Sequence, residues 1–221
     1  IGKSKLRKSP CYGAMGPGDK HVAILKPCAK GNPMEIALRK YARCNRQVSD
    51  ILLTSSANHY ELRIMRAPWK RGKNLLNFEE AILGIEGEPF MNSINRASSA
   101  GYPYNTYVTK SGKWDIFGDG QDFDLNTPLC KQLKEEVTAI IEQLKKGERP
   151  LFFFMDCLKD ELRADSKIEK CSTRLFSGSP VAYVVVFLMF LGKFISFYLE
   201  LRFSLGSAIG VNPFSTEWNV L

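Results

Sequence analysis

An α+β fold is what the amino-acid sequence predicts, and three observations predict it. Leu129, Leu133, Val137, Ile140, Ile141 and Leu144 recur at helical spacing between Pro128 and Gly147. The apolar run from Leu151 to Leu158 has the length and composition of a buried strand. Hydrophobic residues make up 44% of the chain and charged residues 24%, so a sizeable core can form and disorder is not expected.

Asn32-Pro33 puts proline at a permitted first-turn position and predicts a helix from Met34 to about Leu53. Asn77, followed by Glu80 ahead of Ala81, Ile82 and Leu83, predicts a short capped helix ending at Gly84. Lys110 to Gln121 reads as a turn-rich hairpin. Thr127-Pro128 opens the periodic helix, which Gly147 stops. The longest apolar stretch, Val181 to Leu205, starts behind Ser179-Pro180, and its first twelve residues carry no charge. A spanning helix needs about 20 predominantly apolar residues, and Lys193, Glu200 and Arg202 interrupt this one. A buried helix is the expectation, with no transmembrane segment and membrane insertion as the minority reading.

Charge is unevenly placed within the net +8. Residues 1–73 hold 16 Lys/Arg against 4 Asp/Glu, residues 74–158 hold 8 against 13, and residues 159–221 hold 7 against 6. A basic front third suits a polyanion, because neutralising phosphates releases counterions, and it suits a merely soluble basic surface equally well. Cys11, Cys28, Cys44, Cys130, Cys157 and Cys171 form no CxxC pair, and the only histidines are His21 and His59. Structural zinc is not expected; reduced thiols in a cytosolic setting are, and no N-x-[ST] sequon argues otherwise. The basic N-terminus has no apolar run behind it, so no signal peptide is expected.

Lys159, Arg163, Lys167, Lys170 and Arg174 follow the apolar run closely enough to lie on one ribbon or extended loop, where they can converge on a triphosphate. The planar fork of Arg holds phosphate oxygens at two points, and Lys supplies a mobile point charge. Asp160 and Glu161 sit among them as positioning partners. A solvated charged loop fits the same residues about as well. Upstream, Ala97-Ser98-Ser99-Ala100-Gly101-Tyr102-Pro103-Tyr104 combines small hydroxyl residues and Gly, which let backbone approach a phosphodiester, with a Pro that fixes a turn.

The spacing K-D-E-L-R-x3-K-x6-R-L-F from Lys159 to Phe176 resembles the basic signature (motif F) of picorna-like viral RNA-dependent RNA polymerases. The resemblance implies that Lys159, Arg163, Lys167 and Arg174 bind the incoming nucleotide, with Asp160 and Glu161 bracing the ribbon. Ala97 to Tyr104 resembles the family's template-guiding element (motif G), which implies RNA contact at Ser98, Ser99, Gly101, Tyr102 and Pro103. Ser4 to Pro10 resembles the start of the index finger, Asn77 to Gly84 the element before the template loop, and Ile209 to Trp218 the entry into the palm. The flavour is closer to insect-infecting picorna-like viruses, of dicistrovirus or iflavirus type, than to mammalian picornaviruses.

Two departures stand out. Where the family commonly has G-K-[ST]-R, this chain has Cys171-Ser172-Thr173-Arg174, with the nearest lysine displaced to Lys170. No D-x4-5-D aspartate element follows the basic signature, no G-D-D is present, and Gly118-Asp119-Gly120 lies in the wrong chain order to replace one. Two-metal phosphoryl transfer needs such carboxylates, so the expectation is a fragment that is inactive alone. The resemblance further implies fingers over 1–176 and a helix with palm entry over 177–221, within a right-hand polymerase that uses Mg2+ or Mn2+ and nucleoside triphosphates. Expected partners are RNA template and product, the remaining palm and thumb, and other viral replication proteins in the host cytoplasm at replication complexes. The alternatives are a stand-alone basic RNA-binding or host-interaction module, and a membrane-tethered replication factor.

Overall fold

The computed structural model describes residues 4–14, 18, 20–42, 48–68, 75–212 and 214–220. In chain order the elements are β1 Lys20–Val22, α1 Pro33–Arg39, α2 Asp50–Arg66, α3 Phe78–Leu83, α4 Trp114–Phe117, α5 Pro128–Lys145, β2 Met155–Leu158, β3 Leu162–Ala164, α6 Asp165–Glu169, β4 Leu175–Gly178 and α7 Val181–Glu200. Two 3-10 turns, Tyr104–Thr106 and Thr216–Val220, complete the set. The α+β class is borne out. The chain forms two compact units, Ile1–Gln47 with Phe154–Gly178 and Val48–Phe153 with Ser179–Leu221.

In the first unit β1 pairs antiparallel with β3, and β2 pairs antiparallel with β4. The Asn32 side chain caps α1 by accepting from the Met34 amide at 3.1 Å. That helix stops at Arg39, not near Leu53, because the Lys40 and Tyr41 amides tighten onto the Ala37 and Leu38 carbonyls. Residues 43–47, Cys44 among them, lie outside the described set, and a separate helix, α2, begins at Asp50 in the second unit. The expected strand over Leu151 to Leu158 is shortened to Met155–Leu158, and Leu151 is 78% exposed, so the run is not the buried strand its composition suggests.

The core lies in the second unit. Leu133 and Val137 of α5 and Val181, Ala182 and Val185 of α7 are almost wholly buried among Phe78, Ile82, Tyr104, Ile116 and Phe117. Burying each large apolar side chain contributes about 1.5–3 kcal/mol, and that packing fixes the loops between the helices. The predicted caps hold: Asn77 and Glu80 form a reciprocal capping box on α3, and Thr127 Oγ1 accepts from the Cys130 amide at 3.1 Å on α5. The expected hairpin over Lys110 to Gln121 contains no strand. Asp115 accepts from the Thr109 hydroxyl at 2.7 Å and from the Lys110 amide at 3.2 Å, which folds the segment into turns round the short helix α4. Ile116 and Phe117 then enter the core.

Among the described residues α7 is long and apolar enough to cross a membrane by length and composition, with a mean hydropathy of 2.0. One side packs against α3 and α5. Phe187, Phe190, Leu191 and Phe194 remain exposed elsewhere on it, so burial is partial. The helix ends at Glu200, and turns replace it through Gly206.

Candidate functional site

Lys159, Glu161 and Arg163 alternate along an extended segment, so all three side chains emerge on one side of the ribbon. The Lys159 amide donates to the Arg174 carbonyl at 2.8 Å, which brings Arg174 alongside. Glu161, whose side chain is only 13% exposed, becomes the hub. Arg174 Nε donates to Oε1 at 2.6 Å and its Nη2 to Oε2, while Arg163 Nη1 lies 3.5 Å and Lys159 Nζ 3.8 Å away. The Arg174 hydrogen bond, with the charges of Arg174, Lys159 and Arg163, holds the Glu161 carboxyl below its ordinary range, and Glu161 raises Arg174. Three cations around one carboxylate leave positive charge to spare for a phosphate.

The ribbon is tied to the N-terminal segment. Asp160 accepts from the Ser4 hydroxyl at 2.7 Å and the Lys5 amide at 2.6 Å, which lowers its carboxyl. The Ala23 amide donates to the Glu161 carbonyl at 2.9 Å, and the buried Thr173 hydroxyl to Ile24 O at 2.7 Å. Lys167 is not brought into the cluster: it lies exposed on α6, while Ser172 N closes back onto its carbonyl at 2.8 Å. Lys170 caps the same short helix. Cys171 has φ 50°, a left-handed conformation that glycine adopts more readily. Beside it Lys40 Nζ donates to Ser172 Oγ at 2.7 Å, so an ammonium from the end of α1 stands next to the departure from the basic signature. The cations and Glu161 are visible in the sequence; the Ser4 and Lys40 contacts have no local signal.

The second unit carries the Ser98 to Pro103 loop. Ala97, Ser98 and Ser99 are exposed, and Ala100 and Gly101 are buried. Gly101, at φ +71°, presses against the start of α7: a Cβ there would meet the Ser179 carbonyl oxygen at 2.3 Å. The Val181 amide donates to Ala100 O at 2.8 Å. Tyr102 is half-exposed with its ring edge-on to Phe153, and the Pro103 carbonyl accepts from the Thr106 hydroxyl at 2.7 Å. Arg96 lies over the Trp114 and Phe123 rings and donates to the carbonyls of Gly118, Gln121 and Asp122.

Lys113, absent from the sequence reading, is 4% exposed, and burial pushes its ammonium down to about 8. With the folded value below the unfolded one, this group opposes folding below about pH 8, and the opposition fades as pH rises towards 10.5. The urea midpoint of the wild type is therefore expected to gain on that of Lys113→Met at lower cost to folding as pH goes from 8 to 10. An unchanged difference between the two proteins over that range would contradict the titration.

Among the described residues no group of three or more His, Cys, Asp or Glu could hold a metal ion. The side chains present do not fit a two-metal centre. The Ile209 to Trp218 segment includes Pro213, which lies outside the described residues. Within it Glu217 accepts from Arg202 Nη2 at 2.7 Å and from the Asn212 amide at 3.0 Å.

The family described as viral RNA-dependent RNA polymerase matches residues 18–221. The replicase polyprotein of Drosophila C virus (strain EB) is 30% identical over 241 residues, covering 99% of this chain and 14% of the relative. That of Acute bee paralysis virus (strain Rothamsted) is 29% identical over 226 residues, covering 99% of this chain and 12% of the relative. The chain thus spans a small part of the curated relatives it matches. Among solved structures, Sicinivirus 3Dpol RNA dependent RNA polymerase superposes with a TM-score of 0.75 at 26% identity, covering 96% of this chain and 41% of that one. Sequence match, relatives and fold agree: the chain belongs to the viral RNA-dependent RNA polymerase family.

Proposed function

We propose that this chain supplies the nucleotide-binding and template-binding front of a viral RNA-dependent RNA polymerase, with residues 1–176 as fingers and 177–221 leading into the palm. The observation that carries the reading is the convergence of Lys159, Arg163 and Arg174 on one largely buried carboxylate. These cations bind the triphosphate, with Arg174 held in place by Glu161. Lys167, exposed on α6 outside the cluster, adds positive charge at longer range. Asp160 and Glu161 act as positioning residues. In the second unit Ser98, Ser99, Gly101, Tyr102 and Pro103 form the template loop, with its exposed side towards the RNA phosphates. Mg2+ or Mn2+, bound by aspartates in the rest of the enzyme, supplies the Lewis-acid chemistry of nucleotidyl transfer. Partners are RNA template and product, the remaining palm and thumb, and other viral replication proteins at replication complexes in the host cytoplasm.

The test is direct. The purified chain is expected to bind single-stranded RNA with log affinity falling linearly against log salt, at about 0.7 per neutralised phosphate. It is expected to incorporate no nucleotide by itself. Salt-indifferent binding, or incorporation of labelled nucleotide by this chain alone, refutes the reading.

A further inference from the structure

Lys113 spends all its side-chain hydrogen bonds on one loop. Its Nζ donates to Ser98 Oγ at 2.6 Å, Ser98 O at 2.9 Å and Asn95 O at 3.2 Å. Its own amide donates to Arg96 O at 2.7 Å. Gly112 lets the two strands of chain come this close, since a Cβ there would lie 2.5 Å from Arg96 O. The ammonium therefore supports the loop from beneath, while Ser98 and Ser99 are exposed on it.

No carboxylate offsets this charge. Among the described residues, the charged groups on the surrounding segments include Arg96, Lys110, Asp115 on α4, Asp119, Asp122, Asp124, and Glu136 on α5. Asp115 accepts from Thr109 and Lys110, Asp119 pairs with Lys110, Glu136 accepts from the Tyr104 hydroxyl, and Arg96 points at backbone carbonyls. Burial is what lowers the Lys113 ammonium. A buried ammonium without a counter-charge is costly even with three acceptors on it. Support of the loop alone does not account for a charge here.

We propose that Lys113 is a positioning residue of the template loop whose missing counter-charge is the RNA phosphodiester held on the loop's exposed side. The inference rests on the template-loop reading above. Lys113 touches no RNA; it holds the Ser98 backbone and hydroxyl in place, and its field draws the phosphate to them. RNA then stabilises the charged lysine, so binding and protonation are linked. A rise of one unit in the lysine's pKa on binding corresponds to about tenfold tighter binding well below pH 8 than well above it.

The experiment measures single-stranded RNA affinity of the full-length polymerase from pH 7 to 9.5, with Lys113→Met and Ser99→Asp alongside. Wild-type affinity is expected to fall several-fold across the range. Lys113→Met is expected to bind more weakly at pH 7, with a flatter pH profile and an unchanged KM for nucleotide. A wild-type affinity constant over pH, or a Lys113→Met profile parallel to it, overturns the inference. Should Lys113→Met fail to fold, the wild-type profile still decides. Ser99→Asp adds a repelling charge to the exposed face and tests the underlying reading separately. If it leaves RNA affinity intact, the template-loop assignment falls; if it weakens binding while Lys113→Met does not, only the role of Lys113 falls.

Discussion

Arg174→Ala, introduced into the full-length polymerase, is expected to lower kcat/KM for nucleoside triphosphate by about 10²- to 10³-fold, with template affinity nearly intact. Phosphoryl transfer redistributes negative charge over the triphosphate, and a fixed cation stabilises that charge better than reorganising water does. Arg174 is held by two contacts to Glu161, so it is already oriented before an anion arrives. Lys170→Ala is expected to do less, because Lys170 caps α6 outside the cluster around Glu161. Steady-state kinetics with Lys26→Ala as a surface control decide the matter. Small, equal losses in RNA binding that salt erases, with normal nucleotide kinetics in all three variants, would reassign these cations to a generic basic surface.

Gly101→Ala is expected to be strongly destabilising in the second unit, as is Gly84→Ala, whose Cβ would stand 2.1 Å from Met91 O. Gly101 sits at φ +71°, which costs an L side chain about 1–2 kcal/mol. The new Cβ would also stand 2.3 Å from Ser179 O and 2.7 Å from Pro180 Cα. Those are backbone atoms at the entry to α7 and cannot swing aside, so overpacking adds about 1–3 kcal/mol. A denaturant melt should show a loss of roughly 2–5 kcal/mol, against almost none for the exposed Ser99→Ala. A Gly101→Ala protein with wild-type stability would mean that the loop does not lie against α7.

How much of this was legible in the sequence depended on how local each signal was. The periodic apolar face of α5 and the Asn77–Glu80 cap of α3 are written in adjacent turns, and both elements formed where expected. The segment round Asp115 misled because a side-chain carboxylate there replaces the cross-strand ladder, and composition alone does not distinguish the two. Gly101 looked like an opening for RNA, and its lack of a side chain also serves packing against Ser179. The basic residues of the ribbon were visible, but their common centre at Glu161 required a fold. Lys113 was invisible because nothing in Gly112-Lys113-Trp114 announces that an ammonium will be buried under a loop fifteen residues earlier.

The pairing of β1 with β3 joins residues made at very different times. His21 and Asp165, which bond across the end of that pair, are 144 positions apart. At a synthesis rate of ~5–20 residues per second, β1 leaves the ribosome roughly 7 to 30 s before its partner exists. During that interval its backbone edge is unpaired, a hazard for strand pairing with neighbouring chains. Its three-residue length and its exposed Lys20 and His21 limit that hazard. The bracing of the ribbon by the N-terminal segment therefore forms only after the contiguous stretch from Val48 to Phe153 has been released.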